Sequence, residues 1–183
     1  MRITKENTMC MIIDDQQKLI PTILEYEQLL ENTKKLSMGL LALEIPCIVT
    51  EHYKKGLGET VSILKEALSI PEKTKAYDKI TFSAYENEEI RNAIVSSGKK
   101  NIIICGTEAH ICVLQTTIDL QNNGYQVILI EDCIGSRTQT NKDSAVKRAM
   151  QEGAIISTYE AILFELVRVA GTPVFKEILN IIK

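Results

Sequence analysis

Hydrophobic positions along the chain fall into short continuous runs that alternate with longer segments of helical spacing. Five runs are almost entirely apolar, and each one ends at a polar residue or a glycine: residues 8–13, 45–50, 101–105, 126–130 and 154–157. Apolar runs of this length are typical of strands that are buried on both faces of a parallel sheet. The pattern therefore predicts five buried strands.

The segments between these runs carry apolar residues three or four positions apart, which is the spacing of amphipathic helices. This spacing predicts helices over residues 22–43, 86–97, 111–122 and 140–152, and two closing helices over 159–170 and 174–182. Residues 61–83 show no clean period and are predicted as loop with some helix. The repeated order of strand and helix predicts an α/β fold, with a doubly wound parallel sheet in a Rossmann-like three-layer arrangement. The length favours a single domain over residues 1–183.

Cys112 lies where the strand over residues 101–105 passes into the next predicted helix. At the start of a helix, free N–H groups and the helix dipole stabilise a thiolate and lower the cysteine pKa. The position therefore predicts a nucleophilic sulfur. The alternative is structural, because a free cysteine also serves as a small apolar residue that packs a helix start.

Composition and charge exclude several classes of function. The chain has 21 basic and 24 acidic residues, a formal net charge of −3 and no basic run, so nucleic-acid binding is not expected. No stretch reaches 18 apolar residues and no cleavable signal pattern is present, so we expect no membrane association.

Cysteine usage points to a reducing compartment. The five cysteines are an odd number, none forms a C-x-x-C pair, and Cys10, Cys47 and Cys105 lie inside apolar runs. Such residues are expected to be buried reduced thiols, which fits a cytoplasmic protein.

Polar side chains follow several of the predicted strands: Asp14, Glu51, Cys112 and Asp132. In doubly wound sheets, ligands bind outside the carboxyl ends of the strands, near the point where strand order reverses. The chain has neither a G-x-G-x-x-G turn after the first strand nor a G-x-x-x-x-G-K-[ST] loop. Dinucleotide and nucleoside triphosphate binding therefore lack their usual signals.

Three segments together resemble a known family: Ile-Ile-Asp-Asp-Gln at 12–16, Lys-Ile-Thr-Phe-Ser-Ala-Tyr at 79–85, and Gly-Thr-Glu-Ala-His-Ile-Cys-Val at 106–113. This set is similar to the isochorismatase-like cysteine hydrolases. The resemblance extends to residues 131–137 and covers essentially the whole chain, and the loop at 50–58 is most similar to the isochorismatase domain-containing branch.

The resemblance implies a catalytic triad. Cys112 would be the nucleophile, Asp14 the base that takes its proton, and Lys79 the cation that holds both in place. It further implies an oxyanion hole made by the backbone N–H groups of Glu108 and Cys112, in a turn shaped by a cis peptide between Thr107 and Glu108. Taken singly, Lys79 could be a solvated lysine, and Asp14 could cap the following turn.

The resemblance also bears on the pocket and on metal. A small substrate pocket would be lined by Leu19, Glu51, Phe82, Glu108, Ala109, His110 and Ile111. Nicotinamidase members of the family carry an Asp-x-His metal pair after the second strand and one more histidine. Here the stretch is Thr50-Glu51-His52-Tyr53 and the chain has only two histidines, so we expect no metal and no cofactor, and the same departure argues against nicotinamidase activity.

The resulting hypothesis is a hydrolase that cleaves a small amide or a related acyl bond through a cysteine thioester. Isochorismate hydrolysis is disfavoured, because related enzymes that cleave that vinyl ether need no cysteine. The resemblance implies a homo-oligomer. Two alternatives remain: a catalytically silent scaffold, and a thiol redox sensor in which Cys133 resolves an oxidised Cys112.

Overall fold

The protein is described over residues 2–183 by a computed structural model, in which six parallel strands form one sheet in the order β3-β2-β1-β4-β5-β6. The strands are Thr8–Ile13 (β1), Cys47–His52 (β2), Lys75–Lys79 (β3), Asn101–Thr107 (β4), Gln126–Gly135 (β5) and Ile155–Ser157 (β6). The order reverses at β1, which pairs with both β2 and β4. This is the point at which a doubly wound sheet opens a crevice for ligands.

Over the same described residues, eight α-helices connect and flank the strands. They are Tyr26–Ala42 (α1), Lys54–Leu57 (α2), Ser62–Leu68 (α3), Glu88–Ser97 (α4), Leu114–Asn122 (α5), Gln139–Gln151 (α6), Tyr159–Val167 (α7) and Pro173–Ile182 (α8). Short 3-10 turns lie at Lys5–Asn7, Ile20–Thr22 and Ala84–Glu86, and a π-helical turn spans Ala109–Val113. Within residues 2–183, none of these helices is both long and apolar enough to cross a membrane.

Two hydrophobic cores cover the two faces of the sheet. On one face, α4, α5 and α6 pack buried residues such as Ile90, Leu120 and Ala149 against the strands. On the other face, helices α1, α3, α7 and α8 do the same with side chains that include Leu36 and Leu163. The strands are buried on both sides because of these layers, which explains their continuous apolar runs. The predicted doubly wound α/β fold is confirmed.

The prediction of loop and helix over 61–83 was wrong in part, because the segment also contains the edge strand β3. Only Tyr77 and Lys79 of this strand are buried, while Lys75 and Asp78 are exposed. An edge strand pairs on one side only and can carry polar residues along its free edge. Strand β3 therefore has no continuous apolar run by which the sequence could indicate it.

Element boundaries differ from the predictions at several further places, of which three follow. Strand β5 runs five residues beyond 126–130, to Gly135, past the exposed Glu131. Helix α1 begins at Tyr26 rather than at residue 22, after the 3-10 turn. Helix α7 ends at Val167 rather than at residue 170, because the next residue turns to a positive φ of 65°.

Gly106 brings the ends of β1 and β4 into close contact. Its φ is +116°, and a Cβ added there would lie 2.1 Å from the carbonyl oxygen of Ile13. Only glycine fits such an approach without moving one of the strands. The turn that carries Cys112 is thereby held beside the residue that follows β1, Asp14.

Candidate active site

Asp14 is fully buried at the carboxyl end of β1 and is held by hydrogen bonds on every side. Its N–H donates to the carbonyl of Thr50 (3.1 Å), and the Thr50 hydroxyl donates to Oδ1 (2.6 Å). The Thr107 hydroxyl donates to the Asp14 carbonyl (2.9 Å). Asp14 has a left-handed φ of 54°, which turns the chain away from the sheet at this point. The carboxylate is therefore fixed at the point where strand order reverses.

Lys79 supplies the counter-charge. It is the last residue of β3, its side chain is completely buried, and Nζ donates to Asp14 Oδ2 at 2.7 Å. Nζ also donates to the carbonyls of Thr81 (3.1 Å) and Phe82 (3.2 Å), so all three ammonium protons are used. A buried ion pair persists only when further hydrogen bonds complete both partners, which is the arrangement seen here.

Cys112 lies near Asp14, in the π-helical turn that precedes α5. The prediction that Cys112 begins the helix was wrong by three residues, since the turn begins at Ala109. One consequence is that Cys112 lies too deep in the helix to receive the full effect of its free N–H groups.

The predicted lowering of the Cys112 pKa was also wrong, because burial raises the pKa of this thiol to about 12. The Asp14 carboxylate adds to the increase, and the Lys79 ammonium offsets only part of it. The resting sulfur is therefore a protonated thiol at neutral pH. A carboxylate oxygen of Asp14 lies within 4.8 Å of Sγ and can receive that proton as the sulfur attacks.

The turn between β4 and Cys112 contains a cis peptide bond between Thr107 and Glu108. The carbonyl of Glu108 accepts from the N–H groups of Ile111 (3.0 Å) and Val113 (3.3 Å). The Glu108 carboxylate accepts from the backbone N–H (3.3 Å) and from Nε (3.0 Å) of Arg137. These bonds fix the backbone that carries the proposed oxyanion donors.

A cavity of about 130 Å³ opens onto these groups. Its lining consists of Asp14, Leu19, His52, Leu57, Phe82, Glu108, Ile111 and Cys112. Four residues of the sequence-predicted pocket are thus among its walls: Leu19, Phe82, Glu108 and Ile111. The nucleophile and base proposed from the sequence face the same cavity.

Three other residues of the sequence-predicted pocket do not line this cavity. Glu51 is turned away, since its carboxylate accepts from the N–H and hydroxyl of Thr60 and contacts Lys54 Nζ at 2.9 Å. His110 Nδ1 lies 2.9 Å from the Ser136 hydroxyl, and Ala109 is buried in the core under the sheet. In a helical turn, neighbouring side chains point in different directions, so only some members of a sequence run can reach one cavity.

Sequence reasoning missed His52 and Leu57 as cavity residues. The Gln16 side chain holds the His52 backbone, because its Oε1 accepts from the His52 N–H (2.7 Å) and its Nε2 donates to the His52 carbonyl (3.0 Å). The imidazole stacks on Phe82 with ring centroids 5.3 Å apart. Burial and the nearby Lys79 lower the pKa of His52, so the ring is neutral at neutral pH. The available signal was the position of His52 at the carboxyl end of a buried strand.

A divalent metal does not fit this site well, although Asp14, His52 and Cys112 present possible ligand atoms within 4.8 Å of one another. Both carboxylate oxygens of Asp14 already accept hydrogen bonds, one from Thr50 and one from Lys79. A cation bound there would displace the ammonium group or be repelled by it. The arrangement favours an ion pair with a thiol over a metal centre.

Cys133, the other candidate thiol, is separated from Cys112 by the sheet. It is fully buried in the core with α1 and α7, whereas Cys112 packs in the core with α4 to α6. Burial raises the pKa of the Cys133 thiol well above its usual value. The fold therefore argues against a disulfide between these residues, which needs their Cβ atoms roughly 4 Å apart.

Asp15, next to the proposed base, is a fully buried carboxyl group. Neither of its oxygens has a hydrogen-bond partner among the described residues. Burial raises the pKa of Asp15 to about 8; the nearby Thr107 hydroxyl opposes the shift and the Asp14 charge adds to it. Asp15 is therefore mostly protonated at pH 7, and the pair carries one negative charge.

Comparisons with known proteins place this arrangement in context. The family model Isochorismatase domain matches residues 8–161. Isochorismatase domain-containing protein 2 of Danio rerio is 35% identical over 178 residues, which cover 97% of this chain and 87% of that protein. The structure of MAR1 ribonuclease from Caenorhabditis elegans has a TM-score of 0.93 at 37% identity and covers 100% of this chain and 92% of that one. The YcaC gene product from Escherichia coli, described as an octameric hydrolase of unknown specificity, has a TM-score of 0.86 at 25% identity, with coverage of 92% and 83%.

Proposed function

We propose, from the premise that the chain belongs to the isochorismatase family, that it is a hydrolase which cleaves a small amide or related acyl bond through a thioester on Cys112. The observation that carries the proposal is the buried Asp14–Lys79 ion pair beside a protonated thiol at the bottom of one cavity. Such a pair places a desolvated carboxylate oxygen beside the thiol, where it can take the proton as the sulfur attacks.

In the proposed acylation step, Cys112 Sγ attacks the substrate carbonyl carbon while its proton passes to Asp14. The backbone N–H groups of Glu108 and Cys112 would stabilise the oxyanion, and each would lower the activation barrier by about 3 kcal/mol. Asp14 then returns the proton to the leaving nitrogen, the C–N bond breaks, and the acyl group remains on sulfur.

In the proposed deacylation step, a water molecule replaces the leaving group and gives a proton to Asp14 as its oxygen attacks the thioester. The C–S bond breaks, the carboxylic acid departs, and the sulfur recovers the proton from Asp14. Lys79 would hold the Asp14 carboxyl group in place through both steps, because its three donors are fixed by Asp14, Thr81 and Phe82.

A screen of small amides for ammonia release tests the proposal. The parent protein should release ammonia from at least one amide, and Cys112→Ala should abolish the release because no acyl acceptor remains. Cys133→Ala is the matched control, since that thiol lies in the opposite core, and it should retain activity. Turnover by Cys112→Ala at a rate near that of the parent would refute the covalent mechanism.

Because the chain is similar to a protein described as a ribonuclease, RNA cleavage is a second activity to measure with the parent protein and the Cys112→Ala variant. The cavity argues against RNA cleavage here, because about 130 Å³ is too small for a nucleotide and the chain has a formal net charge of −3. We expect no cleavage of single-stranded RNA above that of the Cys112→Ala variant. Cleavage that depends on Cys112 would replace the amide proposal.

We further propose a cytoplasmic homo-oligomer. Among the described residues, all five cysteines are unpaired and buried, which supports a reducing compartment. The description of the similar Escherichia coli protein as an octamer supports assembly. Ile80, which is 81% exposed, and the exposed side chains of Tyr53 and Phe82 supply apolar surface for it. Light scattering after size-exclusion chromatography should give a mass at least twice the 20.5 kDa of one chain, and a mass of one chain would contradict the proposed assembly.

A further inference from the structure

The size of the active-site cavity limits what can be buried against Cys112. Its volume of about 130 Å³ is smaller than an engineered apolar cavity of roughly 150 Å³ that holds a benzene molecule. Pockets for drug-sized ligands are larger, about 300 to 1,000 Å³. The buried part of a substrate is therefore restricted to about six non-hydrogen atoms.

The wall of the cavity is predominantly apolar. Leu19, Leu57, Phe82 and Ile111 supply hydrocarbon surface, and the polar groups lie on the side of the reacting atoms. An aliphatic chain would lie against these side chains with its carbonyl group at Cys112. In such a wall, each added methylene that fits typically improves kcat/KM by about tenfold or more, up to the size limit.

The charges around the cavity are unfavourable for an anion. None of its eight lining residues is lysine or arginine. The Lys79 ammonium has no donor left for a ligand, and the mostly exposed Arg137, which bonds the Glu108 carboxylate through Nε, is not among the lining residues. His52 is the remaining nitrogen base at the wall, and its ring is neutral because burial lowers its pKa. A substrate carboxylate would thus be buried near Asp14 and Glu108 without a partner.

We propose that the cavity accepts short, uncharged acyl compounds, with an aliphatic chain of about two to five carbons, and excludes compounds whose acyl group carries a carboxylate. This substrate class rests on the proposed function, because it takes Cys112 as the acyl acceptor. The recognition itself depends only on the cavity walls and their charges. It can therefore be tested without turnover.

The test without turnover uses iodoacetamide and iodoacetate, which are nearly equal in size and differ in charge. Rates of alkylation at Cys112 are measured by intact-mass spectrometry with peptide mapping, and each rate is divided by that for glutathione at the same pH. The normalised preference for iodoacetamide should be at least about tenfold. It should persist at 0.5 M salt, because a buried charge is poorly screened. Equal normalised rates would overturn the proposal.

A substitution in the wall tests the electrostatic origin of the preference. Leu57→Lys places a cation in the cavity wall, and Leu57→Gln is the matched neutral variant. Leu57 is partly exposed, so the fold should accept both changes. Leu57→Lys should raise the normalised iodoacetate rate at least about fivefold over Leu57→Gln. No difference between the two variants would contradict the charge argument.

The test with turnover compares pentanamide with succinamate, in which a carboxylate replaces the end of a chain of similar length. Hydrolysis of pentanamide in clear excess over succinamate supports the substrate class, and comparable hydrolysis of both overturns it while leaving the covalent mechanism standing. If the protein hydrolyses neither compound but alkylation still shows the expected preference for iodoacetamide over iodoacetate, the proposed amide hydrolysis is refuted. The charge selectivity of the cavity then remains supported.

Discussion

Replacing Asp15 with asparagine should make the protein more stable, and the gain should grow with pH. The carboxyl group is fully buried without a hydrogen-bond partner in residues 2–183, and burial raises its pKa from 3.8 to about 8. In the unfolded chain, the pKa of the same carboxyl group lies near its ordinary value. Folding therefore requires the protein to bind a proton at every pH between these values, and asparagine removes that requirement.

The magnitude follows from the linkage between proton binding and folding. For a group whose folded pKa is raised, stability is complete below the unfolded pKa and falls as pH rises toward the folded pKa, by about 1.4 kcal/mol for each pH unit. At pH 7 the cost of keeping Asp15 protonated is on the order of 4 kcal/mol, and it levels off above the folded pKa of about 8. In Asp15→Asn, the asparagine side chain is neutral in the folded and the unfolded state, so folding no longer requires the binding of a proton.

The assay is urea unfolding of the parent protein and of Asp15→Asn at several pH values from 5 to 9. The difference in unfolding free energy should rise by about 2 to 4 kcal/mol between pH 5 and pH 8 and then flatten. Asp143→Asn is the matched control, because that aspartate is exposed and bonds only to the exposed Gln139 side chain. Stability curves of parent and Asp15→Asn that run parallel across this range would refute the assignment of a buried, protonated Asp15.

Three further predictions address the site. Lys79→Met should lower activity at least about a hundredfold and destabilise the fold by about 3 to 5 kcal/mol, because it leaves the Asp14 carboxylate buried without its cation. Adding Asp14→Asn should recover stability but not activity; no recovery in urea unfolding would contradict this. Iodoacetamide should label Cys112 before Cys133, because Cys112 lines the cavity beside Asp14, which can take its proton, whereas Cys133 is fully buried; faster labelling of Cys133 in peptide maps would reverse the assignment. Exhaustive chelation should leave the melting temperature and activity unchanged, whereas about one equivalent of zinc or iron in elemental analysis would contradict the expected absence of a metal and point to a ligand role for Asp14, His52 or His110.

Much of the fold could be predicted from the sequence because its central strands are buried on both faces. A strand that is buried on both faces has an unbroken apolar run, such as Thr8–Ile13 or the core of β4. Such a run indicates a buried strand directly from the sequence. The edge strand Lys75–Lys79 has no such signature, since one face and one edge meet solvent. It was missed although its last residue, Lys79, had been singled out by its motif.

At the site, the sequence motifs predict which residues are involved, whereas their pKa shifts depend on the packed structure. The motifs pointed to Asp14, Lys79 and Cys112, and the structure brings these side chains together. The direction of the Cys112 pKa shift could not be predicted from its place in the chain, because burial and the Asp14 charge oppose the thiolate and outweigh the Lys79 ammonium, which favours it. Burial is a property of the packed molecule, and here it is the larger effect.

The pocket walls were predicted less well, since they depend on side-chain directions. His110 and Ile111 are adjacent in the sequence, yet His110 faces Ser136 and Ile111 faces the cavity. His52 enters the cavity because the Gln16 side chain holds its backbone across the gap between two loops. No local pattern encodes such a contact between loops.

The central claim, a covalent thioester on Cys112, is tested most directly by trapping the intermediate. An amide that the protein hydrolyses is mixed with it, the reaction is quenched in acid within its first turnovers, and the intact mass is measured. The account predicts a mass increase equal to the acyl group on the parent protein, mapped to the peptide that contains Cys112, and no increase on Cys112→Ala. An acyl group on another residue, or full activity in Cys112→Ala without any adduct, would contradict it.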